Sequence, residues 1–340
     1  MLQRLSLVRR KMKANVLLVA TLVAAMPIST SAQEGRMPDF SGATGWLNSA
    51  PLSAGELRGK MVLVEFWTYT CINWLRQLPY VRAWEEKYRP HGLVVIGVHT
   101  PEFEFERNVD NVRRAAREMR IGYPIALDND YAVWRAFSNN AWPALYFVDA
   151  QGRIRHHWLG EGDYARSERM IQQLLAEAGA TGVPRDVVAV EGRGVEAPAD
   201  WASLRSPETY LGREYAENRV DAPAARLRLN QWAAAGDWTA KKQAIVLNKP
   251  GGRIAFRFHA RDLHLVMGPA AAGSTVRFRV LIDGNPPGAA HGGDIDAQGN
   301  GTVSEQRMYQ LLRQPKRIAD RLFEIEFVDP GVEAFVFTFG

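Results

Sequence analysis

Apolar and polar positions fall into two regimes along this chain. In the first, unbroken apolar runs alternate with stretches of helical spacing. Met61 to Trp67 and Leu93 to Val98 are continuous apolar runs, the pattern of strands buried on both faces, as in parallel sheets. Between them Leu75, Leu78, Val81, Trp84 and Tyr88 recur three or four residues apart, which predicts a helix from about Ile72 to Arg89. Pro79 inside it removes one backbone donor and should kink it. His91-Gly92 ends it, and His99 to Arg107 follows the next strand as an aromatic and acidic loop. Helices are expected over Asn108 to Met119, Asp128 to Phe137 and Tyr164 to Ala178, the middle one started by Asp/Asn capping residues. Strands are expected at Tyr123 to Leu127, Leu145 to Val148 and Ile154 to Leu159, the last two joined by the turn Asp149-Ala150-Gln151-Gly152. The alternation predicts a three-layer α/β domain over residues 33–178.

The pattern then breaks. Residues 179–207 are rich in Gly and Pro and poor in large apolar side chains, and read as a linker. Over residues 208–340 short strands dominate, near Arg253 to Phe258, Leu263 to Met267, Val276 to Ile282, Leu322 to Phe327 and Ala334 to Phe339. Several alternate apolar with polar positions, and Gly, Pro and Asp turns separate them. That spacing predicts an all-β jelly roll or β-sandwich.

Charge changes the picture at the N-terminus. The whole chain carries a formal +5, but residues 1–32 hold five basic residues and no acid, so 37 bases face 37 acids beyond them. A balanced chain gives no case for nucleic acid. The first 32 residues have a basic start, an apolar run from Ala14 to Met26 and a small-residue end, Thr30-Ser31-Ala32. This predicts a secretory signal peptide cut after Ala32, and hence a periplasmic protein. The rival is an uncleaved anchor, against which the apolar run falls short of the roughly 20 residues of a membrane span. With one cysteine the mature chain has no internal disulfide, and hydrophobic residues, 46% of the whole chain, must hold the fold.

That cysteine, Cys71, lies where a buried strand gives way to a helix. The free backbone N–H groups and dipole of a helix start favour a thiolate. The alternative is a buried, inert structural cysteine. Glu65 is an ionisable side chain in a strand built for burial, and desolvation should raise its pKa.

Glu65 six residues before Cys71, the aromatics Phe66 and Trp67, and Pro79 in the following helix resemble the thioredoxin superfamily, in its periplasmic TlpA/DipZ-like branch. In that family a cis-proline precedes a later strand and faces the active cysteine, and Pro143 matches it. The resemblance implies an α/β thioredoxin-like fold and thiol–disulfide exchange. Cys71 would be the nucleophile, Glu65 the buried proton acceptor, and Pro143 with Trp142 would present the substrate backbone. No cofactor is implied. Partners would be protein or small-molecule thiols and disulfides, with a membrane redox partner as a further candidate. One feature departs from the family, whose motif is Cys-x-x-Cys: the fourth position is Trp74. A lone thiolate can attack a disulfide but cannot resolve the adduct internally. Trp74 is either a lost resolving cysteine or an aromatic lid that packs near Trp67 and Trp142 and shields the sulfur, and Trp67, Trp74 and Trp142 would border the substrate. The blocks Glu208 to Gly212, Arg257 to Val266 and Asp329 to Val332 resemble the galactose-binding-like, carbohydrate-binding-module-like domain of DipZ-type proteins. A glycan partner would follow from that likeness, with Trp232, Trp238, His259, Arg261, His264 and Tyr309 as residues that could form the platform.

Two other readings stay open. A redox-inactive binding protein would use the C-terminal sandwich alone. A thiol peroxidase is suggested by Thr68-x-x-Cys71, although Val64 stands where peroxiredoxins have a proline. Asp294 to Glu305 has the ligand spacing of a calcium loop, or is a Gly-rich turn.

Overall fold

The computed structural model describes residues 35–340 apart from Tyr215 and Lys316. The signal-peptide expectation falls outside the described residues. The first domain runs β1 (Gly35–Arg36), β2 (Gly45–Leu47), β3 (Met61–Trp67), α1 (Ile72–Tyr88), β4 (Leu93–His99), α2 (Val109–Glu118), β5 (Ile125–Leu127), α3 (Ala132–Ala136), β6 (Ala144–Val148), β7 (Arg153–Leu159) and α4 (Tyr164–Glu177). Its sheet has the order β1-β7-β6-β3-β4-β5-β2. The neighbours β3, β4 and β5 run parallel, whereas β6 lies antiparallel to β3. Every residue of β3 is buried, because both faces are covered. Leu63 and Trp67 join the core under α1, while Val62, Val64 and Phe66 pack on Phe40 and Phe137. Glu65 has the parity of the α1 face.

Two elements differ from expectation. The helix expected over Asp128 to Phe137 shrinks to α3, because Tyr131 adopts a left-handed φ of 57° just before it. Asp128 is instead wholly buried and accepts hydrogen bonds from the backbone N–H groups of Val133 and Trp134 at 2.9 and 2.8 Å. The strand expected from Tyr123 starts at Ile125, leaving the Tyr123 side chain free to serve the site described below.

The second domain packs two antiparallel sheets face to face. One joins β10 (Trp238–Ala240), β11 (Ile245–Leu247), β18 (Val332–Phe339), β13 (Asp262–Pro269) and β16 (Arg307–Arg313), with β8 (Thr209–Tyr210) on β18. The other has the order β15 (Asn300–Val303), β14 (Val276–Ile282), β17 (Arg321–Phe327), β12 (Gly252–Phe258) and β9 (Trp232–Ala235). Phe256, Phe323, Phe337 and Phe339 fill the space between them. The strands missing from the sequence reading are mostly short, and β16 (Arg-Met-Tyr-Gln-Leu-Leu-Arg) has no period-two alternation.

The two domains share a core. Phe103 and Phe105 of the first pack on Phe335 of the second, with ring centroids 5.2 and 4.8 Å apart. Val266, Met308 and Val336 bury against the same cluster. Arg76 of α1, 3% exposed, donates to the Phe339 carbonyl at 2.8 Å and pairs with Glu161 at 3.0 Å. The stretch over residues 179–207 is strapped down at several points. The Val188 N–H donates to Glu168, Glu196 pairs with Arg82, and the Gly194 carbonyl accepts from Arg313. Among the described residues no helix is long and apolar enough to cross a membrane.

Candidate active site

Cys71 is the N-cap of α1, in extended conformation, and its carbonyl accepts the Leu75 N–H at 3.0 Å. Its Sγ donates to the carbonyl of Trp142 at 3.9 Å, and the Trp142–Pro143 peptide is cis. Chain segments 71 residues apart therefore meet at one sulfur. The cysteine keeps a part-exposed surface.

Its ionisation differs from expectation. The backbone N–H groups of Trp74 and Asn73 do pull the thiol down, as a helix start should. Desolvation in the recess is larger and pushes it up, and the carboxylates of Glu102 and Glu208 push the same way. The net direction is well above the ordinary thiol range, so the expected thiolate is a thiol at rest.

Glu65 is fully buried. The hydroxyl of Tyr123 donates to one of its oxygens and the indole N–H of Trp74 to the other, the latter at 3.3 Å. Burial pushes its pKa up to about 7, against the pull of Tyr123, Trp74 and Gln77. Trp74 thus occupies the fourth position of the motif and supplies a proton donor to the acid beneath it.

Trp67 and Trp74 were expected at the substrate surface. Both are completely buried, stacked at 4.4 Å with planes 25° apart, so neither can touch a substrate. Trp74 packs on Trp67 as the lid reading expected, but Trp142 packs on Trp134, at 4.4 Å. Of the three tryptophans only Trp142 is part-exposed. Gly97, paired with Glu65 across β3 and β4, leaves room for the stack. A Cβ there would lie 2.7 Å from Trp67 Nε1 and 3.2 Å from Tyr123 Cε2.

Beside Trp142 opens a cavity of about 710 Å³ walled by both domains, with Glu102, Tyr131, Glu208, Tyr210 and Lys242 among its lining. Sequence reasoning missed Tyr123, Glu102, Glu208 and Tyr210. The acidic loop and the Glu208-Thr209-Tyr210 block were visible, but nothing in the sequence brought them to one cysteine.

Other expected sites dissolve into structural contacts. In the calcium-like loop Asp294 bonds Arg307 and the Gln310 N–H, Asp296 bonds the backbone of its own turn, and Glu305 pairs with Arg114. Among the described residues no group of three or more His, Cys, Asp or Glu is placed to hold a metal. Trp232, His264 and Tyr309 are core residues, and Trp238 lies edge-on to Phe327.

A central mixed sheet, a cysteine opening the helix after its middle strand, and a cis-proline facing the sulfur define the thioredoxin-like class. The description "thioredoxin like C-terminal domain" matches residues 206–340 and "AhpC/TSA family" residues 34–157. Thiol-disulfide oxidoreductase YkuV of Bacillus subtilis is 31% identical over 141 residues, 42% of this chain and 95% of YkuV. The chain belongs to the thioredoxin-like thiol-disulfide oxidoreductase family. Protein DipZ of Mycobacterium tuberculosis is 36% identical over 330 residues, 90% of this chain and 43% of DipZ, so the chain spans less than half of that relative. A solved thioredoxin-like protein in its oxidised form is similar at 32% identity with a TM-score of 0.40, over 42% of this chain and 97% of that one.

Proposed function

We propose that this protein carries out thiol–disulfide exchange through one thiol, Cys71, in an extracytoplasmic oxidising compartment. The observation that carries the reading is the part-exposed Cys71 at the start of α1, its Sγ 3.9 Å from the carbonyl of Trp142, a residue that lines the cavity. The location rests on the signal-like pattern of residues 1–32.

In the reaction Cys71 loses its proton and attacks one sulfur of a disulfide. A new S–S bond forms to Sγ, the old one breaks, and the departing sulfur takes a proton. There is no net oxidation. A second thiol from outside, small or carried by a redox partner, attacks the mixed disulfide and returns Cys71 to the thiol. Glu65 is the positioning residue for Trp74, and Pro143 and Trp142 border the substrate. The raised thiol makes exchange slow at neutral pH unless the substrate changes the charge around the sulfur.

A redox-silent binding protein is the second reading, favoured by the same raised thiol and by Trp74 in place of a cysteine. Incubation with glutathione disulfide followed by intact-mass measurement separates the two. The native chain should gain one adduct, released by added thiol and absent in Cys71→Ala. An adduct that forms only after unfolding gives the silent reading, and fast sulfenic acid formation with hydrogen peroxide gives the peroxidase.

A further inference from the structure

We propose that the cleft beside Cys71 selects disulfides carrying a positive charge, with Glu102 of the first domain and Glu208 of the second as the specificity-determining residues. The inference rests on the exchange reading and names its substrate class.

The argument begins from charge balance in the cavity wall. Glu104 is paired with Arg107 at 3.2 Å and Glu214 with Lys242 at 3.3 Å. Glu102 and Glu208 have no ion pair among the described residues. Both instead accept from one group, the Tyr210 hydroxyl, with Glu208 at 3.3 Å and Glu102 closer. A phenol has one proton to donate, so two carboxyl groups that repel one another whenever both are ionised share a donor sufficient for one. A cation is the missing element, and a charge-assisted bond to an ammonium or guanidinium supplies it.

The position of the pair is fixed by the fold. Gln243 of the second domain donates to the Glu102 carbonyl at 3.2 Å and accepts the Glu104 N–H at 3.0 Å. Tyr210 lies in β8, hydrogen-bonded to β18, which also carries Phe335 of the shared core. Access is open, since Glu208 is solvent-exposed within the cleft and Glu102 half-buried.

The same two carboxylates are the charges that act most on the Cys71 sulfur. A cation seated between them therefore lies within electrostatic reach of Sγ. It also cancels the field that holds the proton on the thiol, so the matching substrate favours formation of its own nucleophile. The second domain is then part of the active site, and its charge enters the choice of substrate.

Mixed-disulfide formation on the full chain is the test, read by intact mass at low ionic strength with cystamine, 2-hydroxyethyl disulfide and dithiodiglycolate. Each rate is divided by that of the same chain unfolded in urea. Cystamine should outpace dithiodiglycolate by about tenfold or more, with the neutral disulfide between them. The ratio should shrink in roughly 0.5 M salt and fall severalfold in Glu208→Gln and in Glu102→Gln. A lysine-flanked cystine peptide that exceeds cystamine identifies a polypeptide source, and equality with cystamine a small one. Equal rates across the three disulfides, or a preference that both variants keep, overturn charge selection while exchange itself stands. A native chain that forms no adduct with any of them overturns exchange and this inference together.

Discussion

The two carboxylate centres of the first domain and cleft share a direction of shift and little else. Glu65 is pushed up to about 7 and Glu102 to about 8, both chiefly by burial. Glu65 is sealed, with a separate donor on each oxygen. Glu102 looks into a cleft, shares its donor with Glu208 and lacks a cation among the described residues. A raised pKa by itself does not mark a reactive group. Access and the number of donors separate an acid that holds structure from one free to meet a ligand.

The largest effect should come from breaking the sealed centre. Trp74→Ala removes a buried ring from the Trp67 stack and one donor from Glu65, and should cost about 3–5 kcal/mol in urea unfolding. A loss under roughly 1 kcal/mol would mean that the stack is not the structural counterpart of the open cleft.

The next effect is pH-dependent. The folded-state pKa of Glu65 lies above the ordinary glutamate value of 4.5, so the native state holds a proton that the unfolded state has released. The Glu65 contribution to stability should therefore fall as pH rises from about 4.5 to 7, by up to about 3 kcal/mol, on top of the decline contributed by Glu102 and Glu161, which are raised in the same direction. Glu65→Gln keeps acceptor and size but removes the titration. Its denaturation curves should lose the Glu65 share of that slope and keep the share of Glu102 and Glu161, and an unchanged slope would move the titration elsewhere.

The smallest change in stability belongs to the open centre. Glu208→Gln should alter folding by no more than about 0.5 kcal/mol, as expected for an exposed side chain. It should nevertheless shift the pH profile of Cys71 alkylation by neutral iodoacetamide to lower pH, because one charge opposing the thiolate is gone. An unmoved profile would detach the cleft carboxylates from the sulfur.

Much of the α/β domain was legible in the chain. The run Met61–Trp67, the helical spacing after Cys71 and the hairpin around Gly152 are local patterns, and local patterns set element type. The short strands of the second domain were less legible, since two to four residues carry no readable period. The site was half visible. Cys71 was marked by its place at a strand-to-helix junction and Glu65 by its charge in a strand built for burial, whereas Pro143 came only from the family resemblance. Trp67 and Trp74 were placed on the wrong side of the surface, because a tryptophan's burial depends on what stands opposite it, here Gly97 and Tyr123.

The residues themselves dictated one sulfur at a strand-to-helix junction, an acid in the strand before it, and the absence of a second cysteine. These follow from order along the chain. Only folding brought Tyr123 to Glu65, and Glu102, Glu208 and Tyr210 to Cys71, across separations of tens to more than a hundred residues. The ionisation of the thiol followed that assembly. Burial and distant carboxylates act through space, and here they outweigh the helix start that the local sequence encodes.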